Sequence, residues 1–143
     1  YGDMNGGFNP IKDLYKMEVY RLSRLRNEGV PKGCRGPAGE VIPDRILTKA
    51  PTAELKPNQK DQDTLPPYEV LDDILECLVE HEMPLAGIAA RGHPIETVRR
   101  VERMLNLAEY KRRQAAPGVK ISTKHFGRDR RYPITNKFRD KSG

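Results

Sequence analysis

The 143-residue sequence predicts a mostly α-helical chain with little or no sheet of its own. Two segments between residues 67 and 115 carry apolar residues at every third or fourth position, which is the period of an amphipathic helix. No alternation of apolar and polar residues supplies the strands that an α/β sheet needs. No run approaches the roughly 18 apolar residues of a transmembrane helix, so we expect no membrane-spanning segment.

The first helix is predicted to follow a loop over residues 1–9 that is rich in Gly and Asn. It begins at Pro10 or Asp13 and runs to Asn27. Asn9 or Asp13 can cap its N-terminus, and Gly29 can end it.

Two stretches without regular structure come next. Residues 29–43 are dense in Gly and Pro, which indicates an irregular connection. Asp44 can then cap a short helical turn. Residues 50–67 carry four prolines and many polar groups, and so long a loop is uncommon unless it is functional or disordered.

The clearest helix is predicted from about Pro67 to Glu82, because apolar residues repeat there at three and four positions. They are Val70, Leu71, Ile74, Leu75, Leu78 and Val79. A short helix is predicted from Leu85 to Ala90.

The second long helix is predicted from Pro94 to about Ala115, where Pro117 and Gly118 follow. Its apolar stripe comprises Ile95, Val98, Val101, Leu105 and Ala108. Residues 119–122 predict a short extended piece, and residues 116–143 as a whole form a basic tail.

The net charge of +6 is unevenly distributed. Residues 91–143 hold 15 Lys and Arg against 5 Asp and Glu, which gives +10, and residues 1–90 hold 11 against 15, which gives −4. Each of these cations, taken alone, is most simply explained as a solvated charge on the surface. As a block, and above all at Arg128, Arg130 and Arg131, the cations favour an anionic partner.

Protein-nucleophile and metal chemistry have no support in the sequence. His81, His93 and His125 lie far apart and lack a second ligand at metal spacing, so structural roles are favoured for them. Cys34 and Cys77 have no partner spacing either, which predicts reduced thiols in a cytoplasmic protein. We therefore expect no catalytic residue and no metal ligand within this chain.

Three features near the N-terminus and in the long loop suit phosphate binding. Gly6 and Gly7 let a backbone approach a phosphate closely, although a plain turn is the simpler interpretation. Lys16 lies near the start of the first helix, where ammonium and helix N-terminus can act on one anion. The spacing of the residues alone favours an exposed lysine that binds no ligand.

The long loop carries both signs of charge, with Asp61 and Asp63 beside Lys56 and Lys60. Such a loop can close over a polyphosphate and its Mg²⁺. A solvated linker is an equal alternative.

Residues 109–114, Glu-Tyr-Lys-Arg-Arg-Gln, end the second long helix. Cations at that end suit the helix dipole, which alone can explain them. Tyr110 and Lys111 also offer an aromatic face and a charge for a nucleotide.

Several stretches together resemble the C-terminal synthetase domain of the glutamine-dependent NAD(+) synthetases. They are Tyr-Gly-Asp-Met-Asn-Gly-Gly-Phe-Asn-Pro-Ile-Lys-Asp at 1–13, Ala-Pro-Thr-Ala-Glu-Leu at 50–55, Leu-Pro-Pro-Tyr at 65–68, Glu-Tyr-Lys-Arg-Arg-Gln-Ala-Ala-Pro-Gly-Val-Lys at 109–120, and Phe-Gly-Arg-Asp-Arg-Arg-Tyr-Pro-Ile-Thr-Asn at 126–136. Their order spans nearly the whole chain.

The resemblance implies a fold and an activity. The chain would be the C-terminal helical half of an α/β Rossmann-like adenine-nucleotide α-hydrolase domain. Family members adenylate deamido-NAD(+) with ATP and Mg²⁺, and ammonia from a glutaminase domain then displaces AMP. They form homo-oligomers, so we expect contacts with other chains, and no membrane or nucleic acid is involved.

The resemblance also implies roles for single residues. Lys16 and Thr52 match residues that contact ATP, and Tyr110 and Lys111 match a pair that binds deamido-NAD(+). Residues 51–65 match a loop that orders over pyrophosphate. Gly7 stands where ammonia-dependent relatives carry an aspartate, which favours the glutamine-dependent branch.

Parts of the family pattern are missing from the 143 residues. The Ser-Gly-Gly-x-Asp-Ser loop for ATP, the glutamate that helps to hold Mg²⁺ and the glutaminase domain do not occur. We therefore expect this chain alone to be inactive. The alternative from another class is a small basic module that binds nucleic acid, although aromatic residues are only 6% and no recognition motif is present.

Overall fold

A computed structural model describes residues 6–49, 65–135 and 138. In this part of the chain six helices follow one another: α1 Lys16–Glu28, α2 Asp44–Thr48, α3 Tyr68–Val79, α4 Leu85–Ala90, α5 Ile95–Leu107 and α6 Glu109–Gln114. The β-pairing found among the described residues is one isolated parallel bridge between Asn9 and Gly118. The predicted mostly helical class is therefore confirmed.

The chain divides into two compact units, one made of residues 1–14 with 69–143 and the other of residues 15–68. No helix in the described part is both long and apolar enough to cross a membrane.

The core of the first unit joins α3, α4 and α5. Six buried residues form it: Ile74, Cys77, Leu85, Ile88, Val98 and Val101. Three of them, Ile74, Val98 and Val101, belong to the predicted stripes of the two long helices. The short α4, which contacts α5, supplies Leu85 and Ile88. Because truncation of a buried Ile or Leu to alanine loses its transfer free energy and leaves a cavity, it typically costs about 2–5 kcal/mol.

The second unit is held by side chains bonding to backbone rather than by an apolar core of its helices. No residue of α1 or α2 is buried. The Asn27 amide oxygen accepts hydrogen bonds from the N–H groups of Val41 and Ile42, each at 3.0 Å, and its nitrogen donates to the Ile42 carbonyl at 2.7 Å. One asparagine therefore ties the end of the irregular 29–43 connection back to α1.

Two predicted boundaries are wrong. Helix α1 begins at Lys16 instead of Pro10 or Asp13, because Tyr15 is its N-cap residue and the Glu18 carboxylate accepts the Tyr15 N–H at 2.8 Å. The second long helix is broken at Ala108, which has φ −82° and ψ 4°. Residues 119–122, predicted as a short extended piece, carry no strand pairing, and the bridge lies one residue earlier, at Gly118.

Candidate functional site

Lys16 is the first residue of α1, and its side chain lies beside two aromatic rings. Its Nζ is 5.5 Å from the centre of the Tyr20 ring and 5.7 Å from that of Tyr68. The two ring centres are 6.4 Å apart, with a tilt of 48°. Cation–π attraction therefore holds the ammonium group in place, while the residue stays exposed and open to an anion.

A cavity of about 850 Å³ is lined by Lys16 and by two further cations, Arg45 and Lys49. The described lining residues include no carboxylate. The rest of the wall is apolar, aromatic or hydroxyl-bearing: Val19, Tyr20, Ser23, Ile42, Ile46, Leu47 and Thr48. Its volume lies within the roughly 300–1,000 Å³ of small-molecule sites. Cations beside apolar walls suit a ligand that carries both phosphate and a planar ring.

Thr52 and the charged residues of the long loop, Lys56, Lys60, Asp61 and Asp63, lie outside the described residues. Their contacts with ATP, pyrophosphate or Mg²⁺ stay predictions, as does the idea that residues 51–65 act as a lid.

In the first unit, helix α6 is fixed by one buried carboxylate. Glu109 is 1% exposed and accepts hydrogen bonds from Arg112 Nη2 at 2.7 Å and Arg113 Nε at 3.1 Å. Burial alone would raise the pKa of Glu109, but the bonds from the two guanidinium groups outweigh it and lower the pKa below its ordinary value. Glu109 is therefore a buried anion with charged partners.

Tyr110 and Lys111 lie on the same turn and are both exposed, Tyr110 by 45%. Successive residues of an α-helix are about 100° apart around its axis, so the two side chains leave the helix in different directions. The pair therefore offers an exposed ring and an exposed charge on adjoining sides of α6 rather than one joint face.

A second buried carboxylate fixes the basic tail. Asp13 is 3% exposed and accepts the N–H groups of Ile121, Ser122 and Phe126 at 2.8, 2.9 and 2.8 Å. Burial would raise the pKa of Asp13, but these bonds and one from the Ser122 hydroxyl lower it overall. Asp13 thus holds a loop, where the sequence had suggested a helix cap.

The three arginines at positions 128, 130 and 131 differ in their surroundings. Arg130 donates to Asn106 Oδ1 at 3.0 Å and is partly buried. Arg128 and Arg131 are exposed. Two of the three cations, rather than all of them, are thus accessible to an anionic partner.

The histidines lie apart from one another. His93 bonds to Asp73 at 2.5 Å, and Arg91 donates to the same carboxylate at 3.0 Å. The His93 bond is the main cause that lowers the pKa of Asp73. His81 is 3.6 Å from a Glu76 oxygen. Among the described residues no group of three or more His, Cys, Asp or Glu side chains could hold a metal ion.

Sequence reasoning missed Lys12, which the structure places at the end of α6. Its Nζ donates to the carbonyl oxygens of Ala115 and Ala116 at 3.3 and 2.8 Å. No local pattern reveals this contact, because the partners lie more than 100 residues away. The one available indication was the position of Lys12 in the segment 1–13, which resembles known proteins.

Comparison with known proteins gives a consistent result. A family model described as NAD synthase matches residues 1–115. The glutamine-dependent NAD(+) synthetase of Rhodobacter capsulatus is 52% identical over 142 residues, which cover 99% of this chain and 26% of that protein. The enzyme of the same name from Thermotoga maritima is 51% identical over 140 residues, covering 98% of this chain and 23% of that protein.

The chain therefore spans about a quarter of the length of these relatives. A solved structure, that of glutamine-dependent NAD+ synthetase from Acinetobacter baumannii in complex with adenosine diphosphate, is similar over 87% of this chain and 20% of that chain. The sequence identity is 38%, and the TM-score is 0.49.

Proposed function

Because the chain belongs to the NAD synthase family, we propose that it forms part of an ATP-dependent amide ligase that converts deamido-NAD(+) to NAD(+). In this reaction ATP adenylates the nicotinate carboxylate and pyrophosphate leaves. Ammonia derived from glutamine then displaces AMP. The match of the family model over residues 1–115 is the observation that carries the proposal, and the names of the relatives add glutamine as the ammonia source.

Lys16 and Thr52 are proposed to contact ATP. In support, Lys16 is exposed at the start of α1, its ammonium lies over two tyrosine rings, and it lines a cavity with two more cations. A fixed ammonium lowers the ordering cost of gripping a phosphate oxygen. Thr52 rests on the resemblance alone.

Tyr110 and Lys111 are proposed to bind deamido-NAD(+). The buried Glu109 and its two arginine partners fix the helix on which both stand, and both side chains are exposed. Their different directions imply that the ring and the charge contact separate parts of the ligand.

Metal binding and the adenylation step are proposed to depend on other parts of the enzyme. The sequence lacks the Ser-Gly-Gly-x-Asp-Ser motif that the resemblance associates with ATP. We therefore assign no catalytic residue to these 143 residues. Their role is to position ATP and deamido-NAD(+).

The same proposal implies a homo-oligomeric assembly and a cytoplasmic location. Helix α1 buries no residue, and Leu22 and Leu25 are about half exposed, which supports packing of further protein on this helix. The homo-oligomer itself rests on the resemblance. Cys34 and Cys77 are both free thiols, which suits the proposed cytoplasmic location.

A chimera tests the function. The 143 residues replace the matching quarter of the Rhodobacter capsulatus relative, and NAD(+) formation is measured with deamido-NAD(+), ATP, Mg²⁺ and ammonia. We expect turnover by the chimera and none by the isolated chain. Lys16→Ala should raise the KM for ATP, and Lys111→Ala should raise the KM for deamido-NAD(+), each roughly tenfold or more, which is the loss of one charged contact.

Lys32→Ala serves as the control for Lys16→Ala, because Lys32 is an exposed lysine of the same unit that does not line the cavity. It should leave both KM values unchanged. If the chimera is active but Lys16→Ala and Lys111→Ala also leave both KM values unchanged, the roles proposed for these residues are wrong. Rapid turnover by the isolated chain would refute the proposal that other parts of the enzyme are needed.

A further inference from the structure

A second cavity, of about 600 Å³, lies in the first unit against the end of α6 and the segment 117–131. We call it the basic pocket. Six cations line it: Lys12, Arg112, Arg113, Lys120, Arg128 and Arg131. None of the residues proposed above for substrate binding is among its lining residues.

The positive charge of the basic pocket is only partly neutralised. Glu109 pairs with Arg112 and Arg113, and Asp129 pairs with Lys120 at 2.6 Å. Asp13, whose Oδ1 lies 4.0 Å from His125 Nδ1, is a third carboxylate beside the wall. Six cations less these three carboxylates leave +3. The other cations keep their charge, because Lys12 Nζ bonds to two carbonyl oxygens, which are neutral acceptors.

Two side chains of the wall are held in place by hydrogen bonds. The Arg112 side chain is 10% exposed, and its Nη2 donates to the Leu105 carbonyl oxygen and to Glu109, each at 2.7 Å. His125 is 5% exposed, and its Nδ1 accepts the Gly127 N–H at 3.0 Å, which leaves the ring proton on Nε2. These bonds fix the guanidinium and the imidazole in the wall of the pocket.

The pocket is built before any ligand arrives. A Cβ atom on Gly118 would lie 2.4 Å from the Asn9 carbonyl oxygen, and one on Gly127 would lie 3.0 Å from Lys12 Cε. Glycines therefore let the Lys12 side chain run between the two loop segments. Asp13 fixes the same loop through backbone bonds at residues 121, 122 and 126. A preformed set of donors loses little freedom on binding.

We propose that the basic pocket binds a compact polyphosphate, either inorganic pyrophosphate or the polyphosphate group of a nucleotide. A charge of +3 gathered in one concavity matches a small anion with several negative charges better than a single carboxylate. The exposed Arg128 and Arg131 can each bind a phosphate with two parallel N–H bonds, while Lys12 and His125 contact it from the inner wall. The site does not depend on the proposed ligase activity.

Calorimetric titration of the 143-residue chain tests the proposal. Pyrophosphate, ADP and orthophosphate are added separately, and pyrophosphate or ADP should bind at least tenfold more tightly than orthophosphate. The stronger of the first two identifies the source of the polyphosphate. Arg128→Ala with Arg131→Ala should weaken binding roughly tenfold to hundredfold.

Arg100→Ala with Arg103→Ala is the matched control, because both arginines are exposed on α5, do not line the pocket, and give the same change in charge. It should leave the dissociation constant within about twofold. Equal weakening by the two double variants would show that net charge alone attracts the anion, and it would overturn the site.

Chemical shifts of the backbone amides, measured by NMR on the unsubstituted chain, give a test that needs no variant. Pyrophosphate should shift the amides of Gly118, Gly127 and Asp129 and leave those of α4 unchanged. Absence of these shifts at millimolar pyrophosphate, or much tighter and salt-steep binding of a single-stranded DNA oligonucleotide, would refute a polyphosphate pocket.

Discussion

Oδ2 of Asp13 accepts two hydrogen bonds from Ser122, one from the N–H at 2.9 Å and one from the hydroxyl at 2.8 Å, although 109 residues separate the two in sequence. This contact joins the start of the chain to the basic tail and shapes the loop beside the basic pocket.

Replacing Asp13 by Asn should destabilise the chain. The side chain keeps its shape, but it loses its charge, and its amide nitrogen cannot accept the N–H groups that both carboxylate oxygens now accept. We expect the free energy of unfolding to fall by about 2–4 kcal/mol, as for a buried group that loses charged bonds. Urea unfolding followed by circular dichroism measures it. Asp44→Asn, at an exposed position, should change the value by less than about 1 kcal/mol.

Acid should weaken the same chain in a defined pH range. The folded pKa values of Asp13 and Glu109 lie below their ordinary values of 3.8 and 4.5. The folded state therefore binds fewer protons than the unfolded state. The two carboxylates therefore stabilise the folded state above about pH 4.5, and this stabilisation is lost as the pH falls through their lowered pKa values.

Urea midpoints between pH 7 and pH 3 measure this effect. Asp13→Asn should reduce the dependence on pH because one of the two carboxyl groups is gone. A variant whose midpoint falls as steeply as that of the unsubstituted chain would contradict the role given to Asp13.

Replacing Glu109 by Gln should cost about 3–5 kcal/mol, because Arg112 would stay buried without its carboxylate. The exposed pair of Glu96 and Arg99, also three residues apart, is the control. Glu96→Gln should cost no more than about 1 kcal/mol. Similar losses of unfolding free energy for the two variants in urea would contradict the idea that the buried ion pair of Glu109 stabilises the chain more than the exposed pair of Glu96.

Replacing Gly118 by Ala should also destabilise the first unit. The added Cβ would lie 2.4 Å from the Asn9 carbonyl oxygen and 2.8 Å from Lys12 Cβ, so backbone has to move. We expect a loss of about 1–3 kcal/mol in urea unfolding. Gly29→Ala is the control, since no atom lies within 4 Å of its Cβ position. A Gly118→Ala chain as stable as the control would contradict the close approach of the two segments.

The sequence alone predicted the helical class and both long amphipathic helices. Their apolar periodicity is local, and the residues that predicted it, such as Ile74 and Val98, are fully buried in the core. Resemblance to known proteins indicated the family, which the family model confirms. Lys16 was predicted in about the first turn of a helix that begins at Pro10 or Asp13, and the structure makes it the first residue of α1. The roles of Lys16, Thr52, Tyr110 and Lys111 in binding stay predictions.

Only the tertiary structure decided which residues the tail contacts and where two helices begin or end. Ala108 has the best intrinsic helix propensity, so nothing local ends a helix there. The break coincides with Glu109, which enters the interior to meet Arg112 and Arg113. Asp13 looked like a helix cap, yet its partners lie more than 100 residues away. Such contacts depend on how distant segments meet, and a local pattern carries no information about that meeting.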